Sequence, residues 1–163
     1  MNEPSAPALP QTATDLTSVF VYGTLMPGER WEEVARRGGS YHAEPAQLSG
    51  VVLADLRPEG YPALFADEGA SVPVSGWLYT YDAQSWVSVL PFLDDLEGLH
   101  LTPPLYHRVQ VTAQTQQGPH QTWVYLYARP ARRDAAGFFP VASGRWSDVP
   151  ERHSEGPRQT WEE

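Results

Sequence analysis

The sequence predicts a small mixed α/β domain of the α+β kind, a β-barrel or strongly curved sheet with helices flanking it. Three features predict it: short β-branched and aromatic runs punctuated by turn residues, one stretch where the apolar period changes from two to about 3.6, and a hairpin pattern late in the chain. Ser18, Val19, Phe20, Val21 and Tyr22 form the first strand, which stops at Gly23. Residues 28–37 carry acids early and bases late and are followed by two glycines, the charge order and stop signal of a short helix. Further strands are expected at 46–56, 63–65, 74–81, 106–115 and 121–128. The last two are joined through Gln116-Gln117-Gly118-Pro119 as an antiparallel hairpin. Between Tyr81 and Gly98, the residues Trp86, Val89, Leu90, Leu93 and Leu96 share one helical face, with Asp82 as N-cap and Gly98 as the stop. Pro91 inside that stretch is expected to kink the helix or restart it.

The chain has 163 residues and a formal charge of −9, and all eleven of its cations are arginine. Lys and Cys are absent, which removes lysine Schiff bases, phosphate-loop lysines, thiolate nucleophiles and cysteine-ligated metal centres. Carboxylate, imidazole, hydroxyl and backbone chemistry remain. Residues 1–17 contribute two acids and no base, and 147–163 five acids and two bases. The domain is therefore expected over 18–146, between a flexible N-terminal tail, 1–17, and a polar acidic C-terminal tail, 147–163. No apolar run reaches bilayer length and the N-terminus has no signal-peptide core. The acidic balance disfavours nucleic acid and anionic membranes. A soluble, cytoplasmic protein with a small-molecule partner is expected, its oligomeric state left open.

Several motifs fail on inspection. Gly23-Thr24-Leu25-Met26-Pro27-Gly28 approaches the spacing of a phosphate loop, but Glu29-Arg30 stands where Lys-Ser/Thr must follow. There is no G-x-S-x-G elbow, and His42, His100, His107, His120 and His153 make no metal-ligating pair, so no metal site is expected. On spacing alone Glu97 reads as a solvated last-turn residue before a glycine stop, and Tyr22-Gly23-Thr24-Leu25 as either a plain strand end or a concave set of backbone donors.

One constellation succeeds: Tyr22-Gly23-Thr24-Leu25, then Leu93-Asp94-Asp95-Leu96-Glu97-Gly98, then Leu105-Tyr106-His107-Arg108 and Trp123-Val124-Tyr125-Leu126-Tyr127. Gly60-Tyr61-Pro62-Ala63-Leu64, Gly76-Trp77-Leu78-Tyr79 and Ser143-Gly144-Arg145-Trp146 keep the same order. With these residues the sequence resembles the γ-glutamylcyclotransferase-like family, which includes γ-glutamylamine cyclotransferases and plant avirulence-induced proteins. The resemblance implies a small barrel with a cavity and a cofactor-free reaction. In it, the α-amine of a γ-glutamyl compound attacks its own γ-carbonyl, forming 5-oxoproline and releasing an amine or amino acid. It implies Glu97 as general base and then acid, and Tyr22, Gly23, Thr24, Leu25, Tyr106 and Tyr125 as substrate contacts. Asp94 reads as a structural partner of a backbone group or an arginine, and Arg108 as the partner of an acid. Where family members often carry a further tyrosine, this chain reads Gly137-Phe138-Phe139-Pro140. A non-catalytic binding domain of the same fold, or a γ-glutamyl hydrolase, are the alternatives. Substrate choice is assigned to the loops at 57–61, 99–105 and 131–143, with Arg132, Arg133 and Asp134 expected to be solvated.

Overall fold

In the computed structural model, which describes residues 16–150, the chain forms a closed barrel and a smaller sheet that share one apolar core. The elements in order are β1 (Ser18–Val21), α1 (Glu32–Ala35), β2 (His42–Leu48), β3 (Val51–Leu56) and β4 (Tyr61–Ala66). They continue as β5 (Val74–Thr80), α2 (Ala83–Leu96), β6 (Tyr106–Thr115), β7 (Gly118–Tyr127) and β8 (Phe138–Pro140). The mixed barrel expected from the sequence is present: its strand order is β1-β5-β2-β6-β7, and β4-β3-β8 make the second sheet.

Four of the barrel contacts are antiparallel, and the fifth, Val19 against Trp123, is a parallel seam between β1 and β7. At this seam the Ser18 hydroxyl donates to Thr122 Oγ1 at 3.0 Å, with both residues buried. Pairing of β2 with β6 is confined to Ala46–Thr115 and Gln47–Gln114; Pro45, just before, has no N–H to offer a ladder. The β6–β7 hairpin is in register over its whole length, from Tyr106–Tyr127 to Thr115–Gly118.

Three elements differ from expectation. The single strand expected over 46–56 is two strands in two sheets, β2 and β3, divided at Ser49-Gly50. Ala46 and Leu48 at the end of β2 are buried, as is nearly all of β3, so the apolar pattern runs on across a turn that redirects the chain. The first helix is shorter than 28–37: only Glu32–Ala35 is α-helical, although Arg36 and Arg37 pair with Glu32 and Glu33 one turn away. Strand β8 was not foreseen; it pairs Phe138, Phe139 and Pro140 with Leu56, Asp55 and Ala54.

Helix α2 follows the expected outline. Asp82 accepts the Ser85 amide at 2.8 Å as N-cap, and Trp86, Val89, Leu93 and Leu96 are buried. Pro91 does not divide it: the helix is continuous. The carbonyl that loses its partner is that of Val87, an exposed residue, where solvent can satisfy it. Gly98, at φ +69°, ends it in a conformation other residues adopt at a cost. No helix among the described residues is long and apolar enough to cross a membrane. The expected tails lie outside the described residues except at 16–17 and 147–150, where Leu16 and Val149 are buried.

The seam is testable. Thr122→Val leaves the buried Ser18 hydroxyl only its longer bond to the Gln121 carbonyl, at 3.4 Å, and is expected to lower unfolding free energy by about 1 kcal/mol. Adding Ser18→Ala is expected to restore part of that loss in denaturant melts, because neither polar group then remains.

Candidate active site

Where β1 ends, the chain turns through Tyr22, Gly23, Thr24 and Leu25, all buried. The turn is pinned by the Met26 amide on the Gly23 carbonyl at 3.0 Å and the Trp31 amide on the Thr24 carbonyl at 2.8 Å. Phe20 to Leu25, Pro62, Glu97 and Tyr125 enclose a cavity of about 20 Å³, room for roughly one water. The sequence-derived candidates Tyr22, Gly23, Thr24, Leu25, Tyr125 and Glu97 are thus brought together. Glu97 is 7% exposed. It is the C-cap of α2, its amide donating to the Leu93 carbonyl at 3.0 Å. The exposed last-turn position read from spacing alone is therefore corrected: Glu97 is buried where Gly98 turns the chain, and the Leu105 amide donates to the Gly98 carbonyl at 3.1 Å.

Tyr106 stands behind the cavity rather than in its lining. It is fully buried, and its hydroxyl donates to the Pro62 carbonyl at 2.7 Å. Pro62 was not singled out as a site residue, although its Gly-Tyr-Pro-Ala-Leu segment had been noticed. It decides what Gly23 is for: a Cβ on Gly23 would lie 2.4 Å from the Pro62 ring, so the glycine admits the proline wall. Pro62 itself is tolerated because β4 is an edge strand of its sheet.

Tyrosine hydroxyls bind the site together. Tyr22 donates to the Tyr125 carbonyl at 2.7 Å and Tyr79 to the Leu25 carbonyl at 2.8 Å. The Tyr125 hydroxyl donates to Asp94 Oδ1 at 2.7 Å. Asp94 also receives Arg108 Nη1 on both carboxylate oxygens, as its sequence reading anticipated. The Arg108 guanidinium lies over the Trp123 ring, 5.1 Å from its centroid. Burial first, and then the charges of Asp94 and Glu97, hold the Tyr125 phenol well above its ordinary ionisation range.

Of the three residues expected to be solvated, Asp134 is exposed, whereas Arg132 and Arg133 staple the loops assigned to substrate choice. Arg132 donates to the Arg57 carbonyl at 2.9 Å and pairs with Glu59 at 3.0 Å. Arg129 reaches the Pro103 carbonyl at 2.9 Å. Arg133 pairs with Asp67 at 3.3 Å and lies over the rings of Phe65 and Phe138. A wider cleft of about 510 Å³, bordered by Met26, Trp77, Gln116 and Trp146, contains neither Glu97 nor Tyr125. The smaller cavity is the candidate because a buried acid, Glu97, and the Tyr22–Leu25 turn line it together. Among the described residues no three His, Asp or Glu side chains gather as a metal site.

A family model described as "Gamma-glutamyl cyclotransferase, AIG2-like" matches residues 19–148. No curated protein matches the chain. Among solved structures, an AIG2-like protein of Mus musculus is 24% identical with a TM-score of 0.66, the match covering 88% of this chain and 97% of that one. YkqA of Bacillus subtilis is 19% identical with a TM-score of 0.59; the match covers 82% of this chain but only 40% of YkqA. The uncharacterized protein PH0828 of Pyrococcus horikoshii is 15% identical with a TM-score of 0.55 over 83% of this chain and 94% of that one. At these identities the likeness establishes the fold.

Burial, above all, also raises the phenols of Tyr79 and Tyr81 from their ordinary value of 10.0. The folded chain holds all three protons, with that of Tyr125, more tightly than the unfolded chain does. Their contribution to stability is complete below the unfolded value and is lost as pH rises past it. Denaturant midpoints are therefore expected to stay level towards pH 10 and fall beyond it. Tyrosinate absorbance from these groups should rise together with unfolding, and their free titration near pH 10 in folded protein would contradict the assignment.

Proposed function

Since the chain belongs to the gamma-glutamyl cyclotransferase, AIG2-like family, we propose that it cyclises a γ-glutamyl compound to 5-oxoproline and releases an amine or amino acid. The observation that carries this reading is a buried carboxylate, Glu97, sharing a small cavity with the Tyr22–Leu25 turn. Nucleophile and electrophile arrive in one molecule, so the main task is to hold the glutamyl chain folded with its α-nitrogen against its γ-carbon. Such positioning removes up to about 7–11 kcal/mol of barrier. No covalent enzyme nucleophile is needed, which suits a chain with neither Lys nor Cys.

In the proposed sequence Glu97 takes a proton from the α-ammonium, and the freed amine attacks the γ-carbonyl. The backbone amides of the Tyr22–Leu25 turn stabilise the oxyanion that forms. The tetrahedral centre collapses with cleavage of the original γ-amide bond, and Glu97 returns the proton to the departing nitrogen. The ring nitrogen then still carries one proton too many, which Glu97 takes in a second transfer and passes to the released amine. One C–N bond thus forms, one breaks, and two protons move from the α-nitrogen to the departing nitrogen, which leaves as an ammonium. A γ-glutamyl group is larger than one water, so its entry has to push back the cavity walls. The loops at 57–61, 99–105 and 131–143 are the proposed determinants of the leaving group.

Incubation with γ-glutamyl amino acids and γ-glutamyl alkylamines is expected to yield 5-oxoproline by mass spectrometry. Free glutamate instead would mark a hydrolase, and no product from any compound a binding domain. Glu97→Gln is expected to lower kcat by about 10²–10⁴-fold; full activity in that variant would remove Glu97 from the mechanism.

A further inference from the structure

The C-terminal end of α2 breaks an electrostatic rule. It carries Asp94, Asp95 and Glu97 with no basic residue in its last turn, although a helix C-terminus favours cations. Asp94 and Glu97 are also three residues apart, neighbours on one face whose like charges repel. The missing cation comes from another element: Arg108 on β6 closes on Asp94, and the pair is largely sequestered, at 24% and 14% side-chain exposure. If the only requirement at position 94 were a comfortable helix end, an uncharged residue would meet it without an arginine partner.

What Asp94 does, and an apolar residue would not, is accept the Tyr125 hydroxyl. Tyr125 is then gripped at both ends, by its hydroxyl on Asp94 and by its carbonyl, which receives the Tyr22 hydroxyl. Tyr22 and Tyr125 both line the cavity with Glu97, whereas Asp94 and Arg108 do not. Asp94 therefore acts through Tyr125. Resting on the cyclisation reading above, we propose that Asp94 is a positioning residue: by holding the Tyr125 hydroxyl, it fixes the cavity wall against which Glu97 works. Arg108 serves it in turn by holding the carboxylate in place through both of its oxygens.

The test uses steady-state production of 5-oxoproline from γ-glutamyl-alanine and γ-glutamyl-butylamine by the full chain. Tyr125→Phe removes the hydroxyl alone and leaves the Asp94–Arg108 pair and the ring in place. It is expected to lower kcat by about 10–100-fold, the scale of a small misplacement of reacting groups, with KM changed by less than about threefold. Asp94→Ala is expected to show the same kcat-selective loss, and the double variant no more than the worse single one. Asp94→Asn keeps an acceptor oxygen for Tyr125 and is expected to recover most of kcat. Melting curves accompany each variant; if Asp94→Ala does not fold, Tyr125→Phe carries the decision. A kcat retained in Tyr125→Phe, or a lowered melting temperature with kcat unchanged in Asp94→Ala, overturns the positioning role while leaving the cyclisation standing. Absence of 5-oxoproline from the wild type overturns the cyclisation reading, and this inference with it.

Discussion

The contact between Arg108 and Asp94 is the constraint from which the site's geometry follows. A helix that ends in three carboxylates cannot supply its own counter-charge, so α2 is held where β6 places an arginine. A charge-assisted hydrogen bond of this kind contributes about 1.5–3 kcal/mol, more than a neutral one. It also has a direction. Once Asp94 is fixed, Tyr125 on β7 has one acceptor to turn to, and its carbonyl is left to receive Tyr22. Helix end, hairpin and turn are thereby connected through side chains drawn from four parts of the chain. Glu97, one turn beyond Asp94, inherits its place from them.

The opposite wall obeys a different requirement, that buried backbone carbonyls find donors. The turn after β1, the edge strand β4 and the end of α1 each present a buried carbonyl that a tyrosine hydroxyl satisfies. Tyr79 and Tyr106 reach Leu25 and Pro62, and Tyr81 reaches Ala35 at the end of α1. Phenylalanine at these positions would fill the same space and leave each carbonyl unpaired. A barrel interior rich in tyrosine is thus a consequence of surrounding turns with core, and it gives the cavity a rigid back. The close fit of Pro62 against Gly23 adds to that rigidity.

Local features of the fold were legible because local rules decide them. The 3.6-residue period, Asp82 and Gly98 delimit α2, and the two-residue connection at Gln116-Gln117 gives the hairpin its register. Barrel closure was not written in any one segment: the parallel seam joins β1 to β7 across about a hundred residues, and apolar alternation says nothing of which edge meets which. For the same reason residues 46–56 read as one strand, since both halves bury apolar side chains although they serve different sheets. At the site, the order of the Tyr-Gly-Thr-Leu and Leu-Asp-x-x-Glu-Gly segments brought out the residues that meet in the cavity. It did not tell Tyr106 from Tyr125. Both are strand aromatics at similar registers, and only the position of an acceptor, Pro62 for one and Asp94 for the other, separates a support from a wall.

The arginines point to how an anion would be met. Arg108 is engaged by Asp94, Arg132 by Glu59 and the Arg57 carbonyl, and Arg129 by the Pro103 carbonyl. Among the described residues, none that lines the cavity is basic. A developing oxyanion there has no cationic side chain to meet it, which leaves that task in the proposed reaction to backbone amides, dipoles that stabilise charge well where water is excluded and they need not reorganise. The same surroundings, with Glu97 as the acid present, favour a cationic nitrogen beside it. The proposed cyclisation asks for that polarity, a ligand with an ammonium at one end and, at the other, an oxygen that gains negative charge as the ring closes.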